Sequence, residues 1–221
     1  MTNGMPEASA QLAAIGQRFY ARGWVMGTAG NFSTVLSREP LILAMTSRSV
    51  NKGTLTNEQI IEVDGRGMPL DEYRGKAQQS AECLLHIEIV RRRGAGSVLH
   101  THSIWSTILS DHFASRGSIE IEGYELLKGL SGITSHESRE LVPIIENDQD
   151  MTKLSARLGD VLAEYPVAHG VLLRRHGLYT WGDTPDVAER HIEVLEFLLE
   201  AVGRSLSLRQ QETTYGTLEN P

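Results

Sequence analysis

Apolar positions recur at helical spacing between Glu7 and Arg22, where Leu12, Ile15, Phe19 and Tyr20 share one side and Gly23 follows at the place of a C-terminal cap. The spacing predicts a helix with one buried face. Two short apolar stretches come next, Phe32 to Leu36 and Leu41 to Met45, and predict strands joined by a turn. Thr56-Asn57-Glu58-Gln59 has the form of a capping box ahead of the strand-like Ile60 to Val63, and Asp64-Gly65-Arg66-Gly67 is turn chemistry. Ala77 to Arg92 reads as a helix ended by Gly94, and Ser97 to His102 as a strand. After a less regular middle, Val142 to Ile145 predicts an edge strand because of Pro143, Met151 to Glu164 a helix, and Gly170 to Leu173 and Leu178 to Trp181 two further strands. Thr184-Pro185 then opens a long helix striped by Val187, Ile192, Leu195, Leu198 and Val202. The stripe stops at Leu208, so residues 1–208 are expected to form a single domain and 209–221 a loose tail.

Composition narrows the function classes. With 40% hydrophobic residues, the 221-residue chain can bury one sizeable core. A formal charge of −7 excludes a broad nucleic-acid surface, which needs a basic stripe, so any bound phosphate must be met locally. No apolar run approaches the roughly 20 residues that span a bilayer. The solitary Cys83 and the lack of a basic region followed by an apolar run at Met1 to Ala10 point to a reducing cytoplasm.

The sharpest chemical feature is His100-Thr101-His102. On a strand, residues i and i+2 project from one face, so two imidazoles aim at one point. A catalytic Zn²⁺ typically takes three protein ligands, and His176, in Arg174-Arg175-His176-Gly177 at a predicted strand end, is the best third donor. The same two histidines could equally be ordinary surface or core residues. His86, His112, His136, His169 and His191 have no comparable spacing and read as structural. The small polar segment Gly27 to Ser33 could let backbone and side-chain donors approach an anion, or be a plain loop. Thr46, Ser47, Arg48, Ser49 and Lys52 form a second hydroxyl-rich cationic loop that could meet a phosphate. Among 28 acidic residues, Glu82 and Glu125 stand out only through their neighbours Ser80-Ala81 and Gly123-Tyr124.

Taken together, the order Gly27-Thr28 through Ser33, Ser80 to Glu82, His100-Thr101-His102 and His176-Gly177 resembles the class II aldolase/adducin family over nearly the whole chain. Within it, Glu122 to Leu130, Val142 to Asn147 and Arg174 to Gly182 resemble a branch that dehydrates a phosphorylated ketose. The resemblance implies an α/β fold, a three-layer α/β/α sandwich around a mainly antiparallel sheet, assembled as a homotetramer with sites near subunit boundaries. It implies one Zn²⁺ per subunit on His100, His102 and His176, and acid–base roles for Glu125 and Glu82. It also implies phosphate contacts from Thr28, Asn31 and Ser80, helped by Arg48 and Lys52. The aldolases' usual Thr-Pro-Ser/Thr-Gly reads Thr46-Ser47-Arg48-Ser49 here. Aldolase or epimerase chemistry on another sugar phosphate, and a non-catalytic adducin-type interaction module, are the rival expectations.

Overall fold

The computed structural model describes residues 4–73, 75 and 77–216, with side chains as far as Arg209. The elements run α1 (Met5–Ala21), β1 (Asn31–Arg38), β2 (Leu41–Thr46), β3 (Ile60–Asp64), α2 (Cys83–Arg93), β4 (Ser97–Thr101), α3 (Ile104–His112), β5 (Ser118–Glu122), β6 (Arg139–Ile145), α4 (Met151–Glu164), β7 (Gly170–Leu173), β8 (Gly177–Gly182) and α5 (Pro185–Gly216). All eight strands join in one sheet of order β3-β2-β1-β4-β8-β7-β6-β5. Only β6 and β7 pair in parallel; every other neighbour is antiparallel.

Strand alternation sorts the core into two halves. Leu99 and Leu172 pack with Leu12, Phe19, Leu195 and Leu198, so α1, α3 and α5 cover one face of the sheet. Val98, Val171 and Leu173 pack with Leu85, Ile89, Leu154 and Leu158, so α2 and α4 cover the other. Each fully buried leucine contributes roughly 1.5–3 kcal/mol through its removal from water. The layers are those of an α/β/α sandwich around a mainly antiparallel sheet. No helix among the described residues is long and apolar enough to cross a membrane.

The structure departs from the sequence expectations at α2, β6, α3 and the end of α5. The helix expected from Ala77 starts at Cys83. Before it, the Gln78 carbonyl accepts from the Arg48 amide and Ser80 Oγ accepts from the Glu82 amide, so these groups are engaged outside any helical ladder. Strand β6 is not at the edge, because β5 pairs along it. Pro143 is tolerated because the parallel ladder to β7 begins only at Ile144 and Ile145. Helix α3 was not predicted: Ile104 and Ile108 are exposed, so its apolar residues do not mark one buried face. Helix α5 continues past Leu208 to Gly216, and the rest of the expected tail, 217–221, lies outside the described residues.

Candidate metal centre and active site

The alternation that sorts the core also orients the site. His100 has the parity of Val98 and faces the α2 side; Thr101 has the parity of Leu99 and faces α5. His102 lies one residue past the end of β4 and returns to the His100 side, where the two Nε2 atoms stand 2.7 Å apart. His176 enters from the β7–β8 turn, its Nε2 3.1 Å from that of His102 and 3.4 Å from that of His100. Three ligands at 2.0–2.1 Å in a tetrahedral shell would place their nitrogens about 3.3 Å apart. The spacing fits a shared divalent ion.

The donors are prepared for that role. The His100 Nδ1–H donates to the Leu178 carbonyl at 3.0 Å, which leaves Nε2 as a bare lone pair. Burial pushes His100 well below its usual range and His102 down to about 4, so both rings are neutral near pH 7, the form that coordinates. The His102 amide donates to the Trp24 carbonyl at 2.7 Å, and Thr107 Oγ1 donates to the His176 carbonyl at 3.1 Å. Arg175, immediately before His176, sits in the left-handed region at φ +54, a strained turn held by a hydrogen bond from its amide to Ser110 Oγ.

Gly177 permits the closest approach. A Cβ there would lie 2.0 Å from the Thr101 carbonyl and 3.0 Å from the His100 ring. Gly177→Ala must therefore push β8 from β4 at the centre. We expect destabilisation of about 1–3 kcal/mol and weaker metal binding, read by thermal melting and metal titration. Gly30 does the same for the preceding loop: its φ is +73, and a Cβ would meet the His100 carbonyl at 2.7 Å.

Glu82 stands at the start of α2 with Oε1 3.1 Å from His176 Nε2 and 3.7 Å from His100 Nε2. Burial pushes its carboxyl up, but His100, then His176 and Asn31, pull it further down, and it stays well below the usual carboxylate range. Asn31 Nδ2 donates to Glu82 Oε2 and, at 3.2 Å, to Ser80 Oγ, so three of the candidate residues meet beside the triad. Lys52 is 1% exposed, and its ammonium donates to the Thr28 carbonyl at 3.3 Å and the Val50 carbonyl at 2.9 Å. Burial pushes it down to about 8 against the attraction of Glu82. Arg48 lines a cavity of about 640 Å³ with Ser47, Ser49, Gln78 and Gln79, next in sequence to Ser80.

Glu125 is elsewhere. It is 72% exposed and pairs with Lys128 and with His136 at 3.7 Å. Its turn follows β5, four strands from β4 in the sheet order, or roughly 19 Å at the usual strand spacing. Strand directions also send the C-terminal end of β5 to the opposite edge from that of β4. Within one chain, Glu125 does not reach the triad.

Three further residues support the site. Tyr179 stacks on His100 with ring centroids 3.8 Å apart. His86, read as structural, joins the Asn31–Glu82 contacts; its place four residues after Glu82, one turn along the helix face, was the available signal. Glu196 of α5, 2% exposed, accepts the Thr101 hydroxyl at 2.6 Å from behind the His-Thr-His strand. Burial pushes its carboxyl from 4.5 up to about 7. The folded chain thus holds this proton longer than the unfolded one, so its contribution to stability is full below pH 4.5, falls as pH rises to about 7 and then levels off. Glu196→Gln should remove that fall and gain about 3 kcal/mol on the parent above pH 7, measured by denaturant unfolding across pH.

The profile of the class II aldolase and adducin N-terminal domain matches residues 10–202. The chain belongs to the class II aldolase and adducin family. Among its relatives, the methylthioribulose-1-phosphate dehydratase of Alcanivorax borkumensis is 42% identical over 194 residues, covering 87% of this chain and 89% of that protein. The dehydratase of the same name from Acidiphilium cryptum is 43% identical over 190 residues, covering 86% of each. Among solved structures, the l-fuculose-1-phosphate aldolase of Thermus thermophilus superposes with a TM-score of 0.74 at 22% identity, covering 94% of this chain and 99% of that one. A sugar-phosphate aldolase from Thermotoga maritima gives a TM-score of 0.66 at 17% identity, covering 92% and 97%. These two likenesses establish the shared class II aldolase fold.

Proposed function

We propose that the protein is a Zn²⁺-dependent hydro-lyase of methionine salvage that converts 5-methylthioribulose 1-phosphate to 5-methylthio-2,3-diketopentyl 1-phosphate. The observation that carries the reading is the convergence of three imidazole nitrogens beside Glu82 in a chain with relatives of that name at 35–43% identity. His100, His102 and His176 would hold the ion, which supplies Lewis-acid polarisation of the substrate's carbonyl. In this reading Glu82, adjacent to the triad, would take the C3 proton, and a carboxyl group from Glu125 would give a proton to the departing C4 hydroxyl. Water leaves, and the resulting enol becomes the 2,3-diketone. Thr28 and Ser80, with Arg48 and Lys52, would receive the phosphate, with Asn31 holding Ser80 Oγ in place. The Lys52 ammonium has one N–H left after its two carbonyl contacts, and its burial strengthens a charge-assisted bond.

Because Glu125 is remote from its own triad, the reading requires a second copy of the chain to supply it. A homotetramer with one Zn²⁺ per subunit and sites between subunits satisfies this. A reducing cytoplasm suits the buried thiol of Cys83, which burial pushes up to about 12 and so keeps unreactive.

Incubating the zinc-loaded protein with methylthioribulose 1-phosphate tests the proposal. The expected product is the diketone, with one water lost and the carbon chain intact. A cleaved aldehyde, or an epimerised sugar of the same mass, would instead support the aldolase or epimerase reading, which Glu82 beside the triad also accommodates. Absence of bound metal together with absence of turnover would favour a non-catalytic interaction module.

A further inference from the structure

His86 is 0% exposed and makes two hydrogen bonds, one to Ser33 Oγ at Nδ1, 2.8 Å long, and one to Asn31 Oδ1 at Nε2. The direction of each bond follows from what each atom can do. The Asn31 amide nitrogen faces Glu82 Oε2 and Ser80 Oγ, so the Asn31 oxygen faces His86. That oxygen needs a donor, so Nε2 carries the proton. Nδ1 is then bare and accepts the Ser33 hydroxyl proton. The Ser33 backbone carbonyl is separately occupied by the Ser97 hydroxyl at 2.7 Å, which anchors this end of the chain to β4.

We propose that His86 is a positioning residue: through the one-way chain Ser33–His86–Asn31 it fixes the rotamer of the Asn31 amide, and so the place of the Glu82 carboxylate beside the three histidines. Were the amide to turn over, its oxygen would face the Glu82 oxygen and the two would repel; the bond from His86 Nε2 to Asn31 Oδ1 is a second hold on the same orientation. Burial lowers His86 to about 4, which keeps the ring neutral with a single proton to place. The Tyr179 ring packs nearly perpendicular to that of His86, with centroids 5.8 Å apart, and helix α2, capped by Glu82, carries His86. The same device leaves the second Asn31 hydrogen for Ser80 Oγ.

The effect on rate rests on the dehydration reading above, so the test needs one readout independent of turnover. In zinc-loaded protein labelled with nitrogen-15 histidine, the His86 resonance, assigned by its loss in His86→Gln, should show the neutral Nε2–H tautomer. A Nδ1–H tautomer or an imidazolium at neutral pH would overturn the proposal whatever the substrate proves to be. For turnover, His86→Phe keeps the ring volume and removes both bonds. It should lower kcat roughly 10–100-fold with KM and bound zinc within about twofold of the parent. His86→Gln, which returns a donor to Asn31, should recover most of that loss. Parental kcat in His86→Phe, or equal impairment of the two variants, would show a packing role alone and overturn the proposal. If His86→Phe does not fold, Asn31→Ala decides: it removes the acceptor that demands the Nε2 proton, so loss of the single tautomer supports the chain, and an unchanged Nε2–H tautomer overturns it. A parent protein inactive on the proposed substrate defeats the dehydratase reading and leaves the tautomer result standing.

Discussion

Replacing His100 by alanine should remove bound metal and the proposed dehydratase activity together. His100 is fully buried, its Nε2 lies within 3.4 Å of the other two, and Tyr179 stacks against its ring. Alanine leaves two donors where catalytic zinc requires three. The loss should exceed the roughly 10–100-fold that follows removal of an outer hydrogen-bond partner of a metal ligand. Elemental analysis gives metal per chain and a coupled assay gives turnover. A fully active, zinc-free variant would remove the central site from the account.

Glu125→Gln should abolish turnover while bound zinc stays at the parental level, because a positioned acid contributes roughly 10²–10⁴-fold and Gln cannot donate a carboxyl proton. The placement of Glu125 far from its own triad sharpens this expectation. If a second copy supplies the acid, the inactive His100→Ala and Glu125→Gln proteins complement each other. In randomly mixed oligomers about a quarter of the sites combine an intact triad with an intact Glu125, so about a quarter of the parental activity should return on mixing by unfolding and refolding. No recovery would place both residues in one subunit's site. Near-parental activity of Glu125→Gln alone would dismiss the residue as the acid.

The elements with one clear period were legible in the sequence. Met151 to Glu164 and Gly170 to Leu173 were bounded as observed, because a single helical stripe and an unbroken apolar run bury in one way. Helix α3 and the true start of α2 were not. Exposed Ile104 and Ile108 disguise the first, and the second is decided by bonds from Arg48 and Ser80 that come from elsewhere in the chain or compete locally. In the site, the i, i+2 rule found His100 and His102, and the glycine after His176 marked the third ligand; its close approach to Thr101 gives the reason. Spacing could not reveal what lies behind the ligands. Thr101 reaches Glu196 across 95 positions, and His86 meets Asn31 across 55, so both partnerships exist only once β4 and α2 are packed. Nor could any single-chain pattern say that Glu125 falls at the opposite edge of the sheet.

Anomalous diffraction at the zinc absorption edge, on crystals grown with a product analogue, tests the central claim most directly. The account predicts one peak per subunit about 2.1 Å from the Nε2 atoms of His100, His102 and His176, with analogue oxygens in the remaining positions. A peak elsewhere, or imidazoles turned apart with the analogue bound away from them, would contradict it.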